Sequence, residues 1–249
     1  MVSSEVTVFR LDIAYDGAGF RGYARQTGLR TVQGELEAAL RTLLRSDVAT
    51  SVAGRTDAGV HARHQVVSFE HDDVADPDQL ARSLQGLIGR EIAVRGLTTA
   101  PADFSARFSA TWRRYRYQID SRPAHDPLKR GFVWHVGRPL DLSAMRSAAA
   151  VFVGEHDFSS FCRAVEGKST VRVVSELSVE EGDGLIDVWA QANAFCHQMV
   201  RSLVGYLFDV GRGFSDGTRA GEVLAAGDRS VVATVAPAHG LTLWEVGYG

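Results

Sequence analysis

The chain has 249 residues, 45% hydrophobic and 23% charged, a globular balance with apolar material for one or two cores. Its 27 Lys and Arg against 30 Asp and Glu leave a formal charge of -3, which excludes a protein that coats nucleic acid through overall positive charge but permits a local basic groove. No window reaches the roughly 18 apolar residues of a membrane-spanning helix, and Met1 to Phe9 lacks the basic region and apolar run of a secretory signal, so a soluble, cytoplasmic protein without a membrane partner is expected.

In chain order, Phe9, Leu11, Ile13 and Tyr15 alternate with polar or small residues and predict a strand with one buried face, turned by Asp16-Gly17. From Thr31 the apolar spacing becomes helical through Val32, Leu36, Ala39/Leu40 and Leu43/Leu44, with Thr31 as N-cap. Strands are predicted over 48–53 and 65–70. Asp76-Pro77 reads as the cap and first turn of a second helix carrying Leu80, Leu84 and Leu87/Ile88, and a strand over 91–98 closes the half. The second half predicts strands over 112–120, 132–136, 171–180, 185–191 and 241–246, with helices over 142–152, 196–210 and 219–225. The order is that of an α+β fold, helices covering one face of a mainly antiparallel sheet. The domain boundary is expected within 101–108, dividing the chain into 1–106 and 107–249, and "SRPAHDPLKRG" reads as a surface loop.

Cys162 and Cys196 are the only cysteines, so neither a disulfide framework nor a Cys-x-x-Cys metal knuckle is expected, which suits a reducing compartment. "GAGFRG", Gly17 to Gly22, matches G-x-G-x-x-G after a strand. A dinucleotide fingerprint needs a helix starting at the glycines, whereas here the helix begins near Thr31, so that reading is set aside. His61 and His64 have only the distant His71 as a third ligand, and phosphate contact or a surface position suits them better than a metal.

Asp57 lies in "SVAGRTDAGVHARHQ", Ser51 to Gln65, between small residues and two positions after Arg55. Such an aspartate can simply shape a turn. It can also be a nucleophile or base, for which its charge must survive partial burial, and a nearby guanidinium supplies the compensation without titrating. Arg55 can equally bind phosphate, and the pattern alone leaves both open. In "FSARFSATWRRYRYQID", Arg107, Arg113, Arg114 and Arg116 interleave with Phe104, Phe108, Trp112, Tyr115 and Tyr117; on a strand Tyr115 and Tyr117 share one face and Arg114 and Arg116 the other. Aromatic rings for unpaired bases and arginines for phosphates suit looped or single-stranded RNA, against the plainer reading of an edge strand with a solvated basic face. In "NAFCHQMVRSLVG", His197 and Arg201 are spaced one helical turn apart.

Together these segments resemble the tRNA pseudouridine synthases of the TruA type. "AGRTDAGVHA", Ala53 to Ala62, is similar to that family's catalytic signature over ten contiguous residues, "FSARFSATWRRYRYQI" to its substrate-tyrosine strand and "FCHQMVRSLVG" to its C-terminal helix motif. "HDFSSFC" and "APAHGLTL" follow in the family's order, so the resemblance runs from Phe9 to the C-terminus. It implies two domains of ferredoxin-like or RNA-recognition-like topology, a mixed, mostly antiparallel sheet across a central active-site cleft, and a homodimer. It also implies conversion of uridine to pseudouridine at positions 38, 39 and 40 of the tRNA anticodon stem-loop by base flipping, with no cofactor and no metal.

By the same resemblance Asp57 matches the nucleophile, Tyr115 the tyrosine that packs on the target base, and Arg201 the arginine that pairs with the catalytic carboxylate. Arg55 matches the arginine that fills the stack vacated by the flipped base, a replacement that offsets part of an unstacking cost of about a few kcal/mol. His61, His64, Arg25 and Arg107 are expected to meet RNA. The family pattern after "DGAGFRG" usually continues with Trp-Gln, where this chain has Tyr23 and Ala24 before Arg25-Gln26; an aromatic platform is kept and an amide side chain lost. Two other classes compete: an RNA-binding module without activity, and a two-carboxylate hydrolase, which needs a second acid near Asp57 where none stands before Glu70.

Overall fold

Each alternating apolar run becomes a strand whose odd and even residues face different surroundings. The structure, a computed structural model, describes residues 6–72, 74–163, 167, 169–182 and 184–249. The chain divides into two units, Met1–Thr111 with Leu243–Gly249, and Trp112–Thr242. The boundary expected at 106/107 thus falls after Thr111, and the last strand returns to the first unit, a pairing that local sequence cannot signal.

In the first unit β1 (Thr7–Tyr15) lies between β3 (His61–His71) and β4 (Ile92–Ala100), antiparallel to both, with Leu11 opposite Val67 and Leu97. β2 (Ser51–Val52) pairs antiparallel with β3, and β10 (Leu241–Tyr248) continues the order β4-β1-β3-β10. Phe9, Leu11, Ile13 and Tyr15 are buried on one face, and Phe9 stacks on Phe69 across the β1–β3 pair. Over this face lie α1 (Val32–Leu44) and α2 (Pro77–Leu87), which bury Leu36, Leu40, Leu80 and Leu84. Each such leucine contributes roughly 1.5–3 kcal/mol. The caps are the expected ones: the Gly34 amide donates to Thr31 Oγ1 and the Gln79 amide to Asp76 Oδ1.

The second unit is built on β5 (Ala110–Asp120), β6 (Trp134–His135), β7 (Gly154–Asp157), β8 (Val171–Gly182) and β9 (Leu185–Ala192). Their order is β5-β9-β8-β7, antiparallel throughout, with β6 parallel to β5, so the sheet is mixed but mostly antiparallel. Among the described residues of this unit three α-helices occur, α3 (Leu142–Ala150) between β6 and β7, and α4 (Met199–Gly211) and α5 (Ala220–Ala225) after β9. α4 is buried along nearly its whole length, and the rings of Phe152, Phe161 and Tyr206 meet edge to face beside it.

Three local differences bear on the site. β3 begins at His61, four residues before the apolar run that announced it; His61 and Ala62 are both buried, Arg63 is exposed and His64 half-buried, so these residues lack the alternation that marks a strand. The strand expected over 48–53 shrinks to Ser51–Val52. The fourth helix of the expected set starts at Met199, not 196, because Gln198 takes the left-handed conformation, φ 64°, and breaks the turn there. His197 therefore precedes the helix, and the helical spacing assigned to His197 and Arg201 does not exist.

Candidate active site

The loop carrying Asp57 is held by groups that are themselves buried. The Tyr23 amide donates to the Thr56 carbonyl at 3.0 Å, and the Thr56 hydroxyl lies 2.8 Å from the Tyr15 hydroxyl. The buried side chain of Gln65 donates to the Tyr15 oxygen and to the Gly54 carbonyl at 3.3 and 2.7 Å. Burial pushes the Tyr15 phenol up to about 12, so it remains a neutral hydrogen-bonding strut at physiological pH. The Val60 amide closes a turn onto the Asp57 carbonyl at 3.1 Å. Asp57 is thus both turn former and half-exposed carboxylate, with Thr56 buried before it and Ala58 exposed after it.

The glycines of "GAGFRG" serve this loop. A Cβ on Gly17 would stand on the Val60 carbonyl, and one on Gly22 would lie 3.0 Å from the Thr56 oxygen at a backbone φ of +95°. Two segments approach here at backbone distance, which explains a glycine-rich motif that is not followed by a helix.

The remaining expected residues of the first unit divide sharply. Arg55 is exposed two positions from Asp57. Arg107 is exposed and stacks over the ring of Phe108, itself 79% exposed. Arg25 is exposed, with an outer ion pair to Glu37 at 3.4 Å. His61, by contrast, is 2% exposed, and its Nδ1 accepts the Gly17 amide at 3.0 Å. The same nitrogen lies 3.0 Å from Asp16 Oδ1. A ring so placed belongs to the framework, contrary to the expected phosphate contact. His64 is half-buried, with Nε2 2.8 Å from Asp12 Oδ1. Tyr23 is fully buried, so it is no platform for RNA; the change from the usual tryptophan is a core substitution.

In the second unit Tyr115 is 7% exposed and meets Phe195 edge to face at 5.2 Å. On the same face Tyr117 donates to the Pro237 carbonyl at 2.9 Å, and burial holds its phenol far above the ordinary range, against the opposing charge of Arg201. Arg201 donates through Nε to the Ala236 carbonyl at 2.7 Å, while the Ala236 amide donates back to the Arg201 carbonyl at 3.0 Å. Gly205, one turn on, lies against Thr234, where a Cβ would overlap the carbonyl oxygen. The "APAHGLTL" segment and α4 thus fix Arg201 and Tyr117 together, a pairing of two motifs far apart in sequence.

Arg114 and Arg116 follow the plainer reading. Arg114 is paired with Glu176 at 2.9 Å and Arg116 with Asp187 at 2.7 Å, and the two guanidiniums lie over the same Trp189 ring at 4.3 and 5.5 Å. Arg113 is buried and donates to the Asn193 carbonyl. The cysteines were missed altogether as a pair: Cys162 and Cys196, 34 residues apart, are joined with their Cα atoms 5.8 Å apart. Two cysteines with no motif spacing carry no signal of this.

Among the described residues no group of three or more His, Cys, Asp or Glu is placed to hold a metal ion, and no helix is long and apolar enough to cross a membrane. A cavity of about 330 Å³ in the second unit is lined by His125, Asp126, Lys129, Trp134 and His135 among others, and by His239 of the "APAHGLTL" segment.

A family model of tRNA pseudouridine synthases matches residues 148–249. The chain is 48% identical over 248 residues to the tRNA pseudouridine synthase A of Streptomyces griseus, covering 96% of this chain and 87% of that protein. It is 44% identical over 249 residues to that of Ralstonia nicotianae, covering 98% and 90%, and 43% identical over 242 residues to that of Brevibacillus brevis, covering 96% and 98%. With identity of this level along nearly the whole of each partner, the chain belongs to the tRNA pseudouridine synthases, isomerases acting on tRNA.

Proposed function

We propose that this protein isomerises uridine to pseudouridine at positions 38, 39 and 40 of the tRNA anticodon stem-loop, using Asp57 as nucleophile on a flipped base. The observation that carries the reading is the way Asp57 is presented: a half-exposed carboxylate on a loop braced by Tyr15, Thr56 and Gln65. A group that must attack, hold a sugar and leave again needs such fixed placement beside solvent. In the reaction the N1–C1′ bond breaks, the uracil turns while Asp57 holds the ribose fragment, C5 joins C1′, and the C5 proton leaves as N1 gains one, so product and substrate are isomers.

In this reading Tyr115 packs against the target base, Arg201 keeps the catalytic carboxylate ionised, and Arg55 fills the stack left by the extruded uridine. Free tyrosine titrates near 10, so stacking suits Tyr115 better than proton removal at neutral pH. Arg25, Arg107 and the outer edge of His64 meet the RNA, and the enzyme works in the cytoplasm as a homodimer without cofactor or metal. The test is Asp57→Asn with tRNA transcripts carrying tritium at uridine C5. Tritium release and pseudouridine formation should vanish while tRNA affinity stays within about tenfold, or roughly 1.4 kcal/mol. Persistent turnover by this variant removes Asp57 from the role; free uracil among the wild-type products would favour a hydrolase instead.

A further inference from the structure

Three guanidiniums gather in the second unit around the start of α4, and two of them, Arg163 and Arg229, play no part in the mechanism above. Arg163 is exposed and is the residue after Cys162; its amide donates to the carbonyl of His197, the residue after Cys196, at 3.0 Å. The cysteine pair and this hydrogen bond together lock the two segments side by side. Arg229 is half-buried, with Nη2 2.8 Å from Gln198 Oε1 and Nη1 3.4 Å from the Phe161 carbonyl, so it bridges the same two segments. Burial, and then the positive charges of Arg163 and Arg201, lower its affinity for the proton, which places each of those two cations within electrostatic reach of Arg229.

The arginines of the unit are of two kinds, and Arg113, Arg146 and Arg172, like Arg229, donate to carbonyl oxygens. Arg114, Arg116, Arg122, Arg212 and Arg219 each face a carboxylate within 3.0 Å. Arg229 donates to the neutral oxygens of Gln198 and Phe161, and among the described residues no carboxylate pairs with Arg163 or Arg229. Asp228, next in sequence, is turned to the Ser230 amide and hydroxyl at 2.8 and 2.6 Å. In a chain with more acidic than basic residues, these two cations, without a carboxylate among the described residues, suit an anion that arrives from outside.

We propose that Arg163 and Arg229 bind a backbone phosphate of the substrate RNA and so position it on the second unit. The proposal rests on the tRNA-acting function above. Guanidinium is the suited group, since its planar fork matches two phosphate oxygens at once, and Gln198 and the Phe161 carbonyl leave the remaining donors of Arg229 for that role.

The experiment uses the full chain and anticodon stem-loop RNAs in which single phosphates are replaced, one position at a time, by neutral methylphosphonate. For the wild type, one replacement should weaken binding about tenfold. For Arg163→Gln the effect of that same replacement should disappear, and the slope of log affinity against log salt should become shallower by about 0.7–0.9, the value for one lost phosphate contact. Arg229→Gln should behave alike if it folds; Arg163, exposed and without a side-chain bond among the described residues, decides the matter by itself. Unchanged slope and unchanged sensitivity at every position in Arg163→Gln would overturn the proposal, as would a site that takes free inorganic phosphate while RNA binding stays as in the wild type. Pseudouridine formation by the wild type, measured in parallel, separates failure of this site from failure of the enzymatic reading.

Discussion

The Tyr23 amide donates to the Thr56 carbonyl at 3.0 Å, so the loop bearing Asp57 hangs on the segment that leaves the first strand. That attachment is possible only because Gly17 and Gly22 offer no side chain to the incoming backbone. Gly17→Ala places a methyl group on the Val60 carbonyl, and Gly22→Ala adds a side chain at φ +95°, 3.0 Å from the Thr56 oxygen. Each is expected to destabilise the first unit by about 1–3 kcal/mol, from overlap in one case and backbone strain in the other. Pseudouridine formation should fall by more than the loss of folded protein explains, because the loop that presents Asp57 moves first. Thermal melting and turnover of the two variants, measured together, check this; wild-type turnover per folded molecule in Gly17→Ala would refute it.

Gly205 plays the corresponding part in the second unit. Its missing Cβ lets α4 meet the Thr234 carbonyl, and the adjoining Ala236 exchanges two hydrogen bonds with Arg201. Gly205→Ala should push residues 234–236 away from the helix, at a cost of about 1–3 kcal/mol, and release the Arg201 guanidinium from its orienting carbonyl. Pseudouridine formation per folded molecule should then fall, a change that simple destabilisation would not produce; wild-type turnover per folded molecule would mean that Arg201 is not steered from Ala236.

Much of this was legible in sequence, and the exceptions share a physical origin. Thr31 and Asp76 announce their helices because a cap is a local hydrogen bond between residues three apart. The inward placement of Tyr115 and Tyr117 and the outward placement of Arg114 and Arg116 follow from strand alternation alone. What alternation cannot say is whether an outward arginine is solvated or paired, and here the partners Glu176 and Asp187 arrive from β8 and β9. The burial of His61 and Tyr23, the meeting of Cys162 with Cys196, and the clamp between Arg201 and Ala236 are likewise long-range. Gln198 hid a helix boundary because its left-handed backbone is unusual for a residue that is not glycine or asparagine.

Arg114 and Arg116, each bonded to a carboxylate, and Arg107, exposed over an aromatic ring, should separate in RNA binding. Arg114→Gln and Arg116→Gln remove cations already neutralised by carboxylates, so neither should change tRNA affinity by more than about twofold, nor alter its salt slope. Arg107→Gln removes an exposed cation stacked over Phe108 and should flatten the slope by about 0.7–0.9. Affinities measured across a salt series decide between the two groups. Equal slope changes in all three variants would show that the Glu176 and Asp187 pairs open when RNA binds.

Asp12 gives the fold a dependence on acid. Burial works against its charge, but hydrogen bonds from His64 and Arg10 outweigh that and hold its carboxyl below the usual carboxylate range. A carboxyl with a depressed folded-state value stabilises the protein fully above its unfolded value, near 3.9, and loses that contribution as pH falls through the folded one. The three side chains are partly exposed, so the contribution is about 1 kcal/mol. Asp12→Asn should therefore lower the melting temperature at neutral pH by a few degrees, and the gap between variant and wild type should close below about pH 4. A gap that persists undiminished at pH 3 would show that the asparagine costs packing and that the ion pairs around Asp12 contribute nothing.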